Sequence, residues 1–182
     1  MGLTSKLVIA GLIVLAGASR APAADAIAVP LADSPAQLPV HDSAGFDWNG
    51  FYAGVYGVGQ WSPAGAGQLG LGVNAGVNAQ LDFVLVGGEV ALHGLTGGTI
   101  DTAYGQVLGR AGVLITDDVL LYAAAGYGVD LGLPAEDDLL LGGGVEIAVA
   151  DDVSVRAQYL HGFPLSGANP KDQVTLGAHF HF

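Results

Sequence analysis

Between Gln68 and Leu81 the chain alternates without a fault. Leu69, Leu71, Val73, Ala75, Val77, Ala79 and Leu81 are all apolar, and Gln68, Gly70, Gly72, Asn74, Gly76, Asn78 and Gln80 are all polar or glycine. Successive side chains of a strand point to opposite faces, so one face here is wholly apolar and the other is not. A helix would scatter the same residues around its circumference. The run exceeds the ~5–6 residues usual in globular strands and suits the about 9–11 needed to cross a bilayer as a tilted strand.

The same period recurs to the end of the chain. Val84, Val86, Gly88, Val90 and Leu92 alternate with Phe83, Leu85, Gly87, Glu89 and His93. Ala103 to Ile115 alternates with Tyr104, Gln106 and Arg110; Val119 to Leu131 with Tyr122, Gly126 and Asp130. Leu139, Leu141, Val145, Ile147 and Val149 interleave with Gly142, Gly144 and Glu146; Val153, Val155, Ala157 and Tyr159 with Ser154, Arg156 and Gln158. Val174, Leu176, Ala178, Phe180 and Phe182 close the series against Gln173, Thr175, Gly177, His179 and His181. With Phe51 to Trp61 as the first, whose outward face stays open, eight strands are expected. Tight links at Leu81-Asp82, Thr116 to Asp118 and Ala150 to Asp152 alternate with longer ones at Ser62–Gly67, Gly94–Asp101, Gly132–Asp137 and Pro164–Asp172. Short turns on one side and longer loops on the other are the plan of a membrane β-barrel, and an even strand number puts both ends in the periplasm.

Composition agrees. The chain is 51% hydrophobic and 12% charged, with mean hydropathy +0.50, too little charge to disperse a soluble domain of this size. Five Lys/Arg against seventeen Asp/Glu argue against nucleic-acid binding, which needs cations to neutralise phosphates. Cysteine is absent, so no disulfide framework is expected. Lys6 followed by the apolar run Leu7 to Ala18 and small-residue sites between Ala23 and Ala26 reads as a signal peptide over residues 1–24. That run is too short to span a bilayer comfortably as a helix. Residues 25–46, broken by Pro30, Pro35 and Pro39, read as a periplasmic linker, and 47–182 as the barrel.

A soluble barrel would turn its apolar face inward. Here the ionisable groups within strands are expected on the other set, where a lumen would hold them. Phe180 and Phe182 mark one rim of the apolar set, and Trp61, Tyr127 and Tyr159 lie toward the other, as interfacial girdles do. The expected fold is therefore all-β: an eight-stranded antiparallel transmembrane β-barrel, an up-and-down meander in the bacterial outer membrane, with lipid and lipopolysaccharide as its surroundings.

The opening Asp47-Trp48-Asn49-Gly50-Phe51-Tyr52-Ala53-Gly54 resembles the start of the small porin-like, opacity-type outer-membrane barrels of alphaproteobacteria. Gly109-Arg110-Ala111-Gly112, Leu121-Tyr122-Ala123, Gly142-Gly143-Gly144-Val145-Glu146, Val155 to Leu160 and the terminal Gly177 to Phe182 extend the likeness over about residues 47–182. The resemblance implies an envelope protein with structural or weakly porin-like roles. It also implies that the closing Phe180 and Phe182 are read by the outer-membrane assembly machinery. Two departures are the short loops, which weaken an adhesin or antigen role, and Gln158, which stands where the family often carries an acid.

Eight strands enclose a space that side chains just fill. Shared parity proposes Glu89 with Arg110 and Glu146 with Arg156 as adjacent-strand pairs of a lumen network. Gly70, Gly72 and Gly76 opposite Gly142 and Gly144 could instead leave a narrow watered cavity, a reason to weigh a channel for ions or small solutes. His179 and His181 share a face, with His93 inward but toward the other rim, so no third metal ligand is evident. His161 is nominally outward and Ser166 follows in a loop, with no acid placed by spacing, so no catalytic set and no cofactor is expected. The acidic tip Glu136-Asp137-Asp138 reads as solvated, with cation or basic-partner binding as the alternative. Three functions stand: a structural envelope barrel, a narrow pore, and a surface interaction protein. Oligomeric state stays open.

Overall fold

The computed structural model describes residues 45–63, 67–97, 102–132, 137–166 and 170–182. The expected leader and linker lie outside the described residues, apart from Gly45 and Phe46. The rest forms eight strands: β1 (Gly50–Trp61), β2 (Gln68–Leu81), β3 (Val84–Thr96), β4 (Thr102–Thr116), β5 (Val119–Asp130), β6 (Asp137–Ala150), β7 (Val153–Ser166) and β8 (Lys171–His181). Each pairs antiparallel with the next, and β8 pairs back onto β1, so the sheet closes into a barrel. Closure removes both edges and gives every strand two neighbours, as a sheet in lipid requires.

Two-residue turns at Asp82-Phe83, Asp117-Asp118 and Asp151-Asp152 join strands at the end that also carries the C-terminus. Asp82 sits at φ 60°, a left-handed conformation that a short polar side chain tolerates better than most. At the opposite end the strands run further than the alternation suggests. Leu95 still pairs with Thr102, and Gly162 with Lys171, so residues expected in loops are ladder residues. Pro164, which has no N–H to give, lies opposite Asp138 beside a register irregularity at Asp137/Asp138, where a ladder bond can be forgone.

The open question of the first strand is settled. Phe51 and Val55 are exposed, while Tyr52, Tyr56 and Val58 are buried. The tyrosines go inward because their hydroxyls find partners there: Tyr52 donates to Glu89 at 2.6 Å and Tyr56 bonds His93 at 2.9 Å. Outside, every strand presents exposed aliphatics, such as Val55, Leu71, Val90, Val107, Leu121, Leu141, Val155 and Leu176. An apolar surface encircling the whole molecule could not face water. The expectation that ionisable groups keep to the inward set needs one correction: Asp137, His161 and Asp172 occupy outward positions, all near the end away from the two-residue turns.

Candidate functional site: the charged lumen

The strands bring Glu89 (β3), Arg110 (β4), Glu146 (β6) and Arg156 (β7) together inside the barrel, all at most 5% exposed. Arg110 Nη2 donates to Glu146 Oε2 at 2.8 Å, and Arg156 Nε reaches the same oxygen at 3.0 Å. Arg156 Nη1 also pairs with Glu89. Glu146 and Arg156 are direct cross-strand neighbours, as their parity suggests. Glu89 and Arg110 are not: the register sets Glu89 opposite Leu108 and Arg110 opposite Gly87. Their ions cross the lumen instead, Glu89 to Arg156 and Arg110 to Glu146, which linear spacing does not reveal. Tyr52 joins the two halves, donating to Glu89 and accepting from Arg110 Nη1 at 3.4 Å. The Tyr122 ring lies 4.6 Å from the Arg110 guanidinium carbon and the Tyr52 ring 5.1 Å from that of Arg156. Two acids and two bases cancel, which is the condition for keeping four charges out of water.

Below the cluster, Ser154 Oγ donates to Glu146 Oε1 at 2.6 Å and lies 3.0 Å from His181 Nε2. Its hydroxyl proton is directed at the carboxylate, not the imidazole, and Ser154 is fully buried, so this is no exposed nucleophile. The lead-in before β1 then crosses the mouth. Trp48 is fully buried, with its indole N–H donating to Asp117 O at 2.9 Å. Phe46 packs edge-on to Trp48 and to His181, with ring centroids 4.6 and 4.8 Å apart. The sequence signal for this stopper is slight, an isolated Trp beside the Asn49-Gly50 that opens the barrel.

Above the cluster, Tyr56, His93 and Tyr104 form a second layer, His93 stacking on Tyr104 at 5.3 Å. His93, His179 and His181 hydrogen-bond Tyr56, Asn74 and Ser154 in turn, and His179 and His181 both approach Glu146 Oε1, at 4.0 and 3.5 Å. Among the described residues no group of three or more His, Cys, Asp or Glu is arranged to hold a metal ion. At the far mouth Asp138 is 1% exposed and accepts from Tyr104 at 2.8 Å and from Lys171 at 3.2 Å. The acidic tip read as solvated therefore gives one of its members to the interior.

Three of the glycines on opposed walls have an aromatic ring over them. Tyr56 lies over Gly72, Tyr52 over Gly76 and Tyr122 over Gly144, each ring taking the space a side chain would fill. Between Tyr56, Asn74, Glu89, Arg156 and His179 lies a space of about 10 Å³, on the scale of one water.

A closed meander of eight strands, lipid-facing outside and polar within, defines an outer-membrane β-barrel. No protein-family model matches the chain, and no curated protein sequence matches it. Solved structures do. It is similar to Ail, the attachment invasion locus protein of Yersinia pestis, with TM-score 0.56 and 16% identity over 74% of this chain and 97% of that one. It is similar also to the N-terminal β-barrel domain of Pseudomonas aeruginosa OprF (TM-score 0.54, 13% identity, 72% and 97% covered). Neisserial surface protein A follows at TM-score 0.52 and 16% identity, with 72% and 97% covered. At such identities the likeness is one of fold.

Proposed function

We propose that this chain is a structural barrel of the bacterial outer membrane, of the opacity type, that contributes to envelope integrity and does not pass solutes. One observation carries the reading: Arg156 ties Glu89 and Glu146 together across the lumen, with Arg110 on the same Glu146 oxygen. A solute path would have to break ion pairs that nothing else in the interior replaces, and breaking a buried pair is costly. The tyrosine rings seated over inward glycines and the Trp48 stopper point the same way. A binding role through the loops is less supported, because the connections 62–67, 97–101, 131–136 and 167–170 are short.

In this reading lipid and lipopolysaccharide surround the belt, and Phe180 and Phe182 serve as the assembly signal, both exposed on the outward set at the last turn of the wall. The test is planar-bilayer recording on the purified chain, paired with gel migration of boiled and unboiled membrane fractions. A heat-shifted barrel without discrete conductance steps is expected; reproducible steps would replace the structural reading with the pore.

A further inference from the structure

The outward face breaks its apolar rule most clearly in one place. At the end of β7 and the start of β8, Tyr159, His161 and Asp172 all project from the wall. The Tyr159 hydroxyl donates to Asp172 Oδ1 at 2.6 Å, and His161 Nδ1 lies 2.7 Å from the same oxygen. Trp61 is the pair partner of Asp172 across β1 and β8, and Phe163 stands edge-on to His161 with ring centroids 4.6 Å apart. The rings are open to the surroundings, at 42% exposure for Trp61, 45% for Tyr159 and 46% for Phe163. Tyr127 and Asp137, diagonal neighbours on the outward faces of β5 and β6, set a second tyrosine beside an acid at the same rim.

An interfacial girdle requires aromatic rings but no carboxylate. An acid on the lipid-facing set is costly unless polar groups come to meet it. Both hydrogen bonds converge on Oδ1 of Asp172, which leaves Oδ2 to accept from an incoming donor. The chemistry of that donor follows from what the rim lacks. Among the described residues, Arg110, Arg156 and Lys171 are all buried inward, so no guanidinium or ammonium faces the lipid. A phosphate would meet the open oxygen of a carboxylate and no guanidinium or ammonium. A sugar is served well: its hydroxyls donate to Asp172 and exchange hydrogen bonds with His161 Nε2, while its C–H faces lie on Trp61 and Phe163.

We propose that Trp61, Tyr159, His161, Phe163 and Asp172 form a membrane-facing site for the sugar headgroup of an outer-leaflet glycolipid. The proposal rests on the reading that the chain sits in the outer membrane with its two-residue turns in the periplasm. The test uses the full chain in phosphatidylcholine nanodiscs doped with a neutral dialkyl disaccharide glycolipid. The readout is the NMR signal of the two indole N–H groups. Trp61 reports on the site, and Trp48, held on Asp117 at the other rim, is the internal control. A saturable shift of the Trp61 signal with Trp48 unmoved is expected. Asp172→Ala should raise half-saturation by about tenfold, the effect of losing a hydrogen bond to a charged group. A linear, unsaturable response, an equal response to phosphatidylglycerol, or an Asp172→Ala chain that titrates like the wild type would overturn the site. Gel migration of the same samples separates the two readings. A heat-shifted chain that fails to titrate removes the site alone, whereas absence of the shift in the wild type removes the membrane placement beneath it.

Discussion

The ring of Tyr56 lies over the bare backbone of Gly72, its pair partner on β2, so closely that a Cβ there would stand 2.7 Å from the tyrosine hydroxyl. The same tyrosine faces Gly177 on its other side, where a Cβ would meet its own Cβ at 2.7 Å. At Gly72, Gly76, Gly128 and Gly144 an inward glycine is thus the socket for a tyrosine ring on the neighbouring strand. Gly72→Ala should destabilise the barrel by ~1–3 kcal/mol, the usual cost of overpacking. Gly57, on the outward set of β1, meets nothing nearer than 4.0 Å, and Gly57→Ala should change stability by no more than about 0.5 kcal/mol. Urea midpoints of the two variants in detergent micelles decide the matter; equal shifts would show that ring and glycine are not coupled.

How much of this is readable from the chain alone follows from what each feature depends on. The fold depends on parity, and parity is local: the run from Leu69 to Leu81 fixes its faces without reference to any other strand. The first strand resisted because both of its sets carry large apolar groups, Phe51 and Val55 on one, Tyr52, Tyr56 and Val58 on the other. Only hydroxyl partners on β3 decide between them. The charge cluster was legible as a set of residues and as one of its bonds, Glu146 to Arg156, but not as the bonds that cross the lumen. Parity places four charges in the lumen, but which acid meets which base depends on register and on reach across the barrel, which no spacing encodes.

The bonding pattern ranks the four charges. Arg156 serves both glutamates, whereas Arg110 serves Glu146, which Arg156 also holds. Arg156→Met should therefore cost more than Arg110→Met, with the former near ~3–5 kcal/mol because it strands Glu89 without a base. Adding Glu89→Gln to Arg156→Met should recover part of the loss, since the stranded charge is then gone. Thermal and urea unfolding of the four chains, followed by the heat-dependent gel shift, check the order. Should Arg110→Met prove the more damaging, the centre of the network lies elsewhere.

The two tryptophans mark the two rims, and their surroundings differ. Trp48 is fully buried under the barrel, and Trp61 is 42% exposed on the outward set. In a Trp61→Phe chain the remaining indole should emit at short wavelength and resist both aqueous acrylamide and brominated lipid. In a Trp48→Phe chain Trp61 should be quenched by lipid brominated near the headgroup. Quenching of Trp48 by acrylamide as readily as a free indole would mean that the stopper does not seat.

Phe182 lies at the end of the wall, 75% exposed, its ring 5.1 Å from that of Phe180. Its backbone N–H donates to Phe51 O at 2.9 Å, a single bond beyond the ladder that β8 already makes with β1 and β7. An exposed side chain and one terminal hydrogen bond hold little of the folded state together, so deleting Phe182 should cost the refolded barrel no more than ~1 kcal/mol. If the outward pair Phe180 and Phe182 is what the assembly machinery reads, the same deletion should sharply reduce the amount of heat-shifted protein in the outer membrane of cells. Refolding of the purified chain into micelles and quantification in membrane fractions test the two halves separately. Equal loss in both would assign Phe182 to stability. Loss confined to cells would assign it to assembly, because refolding into micelles proceeds without the machinery that inserts the strand.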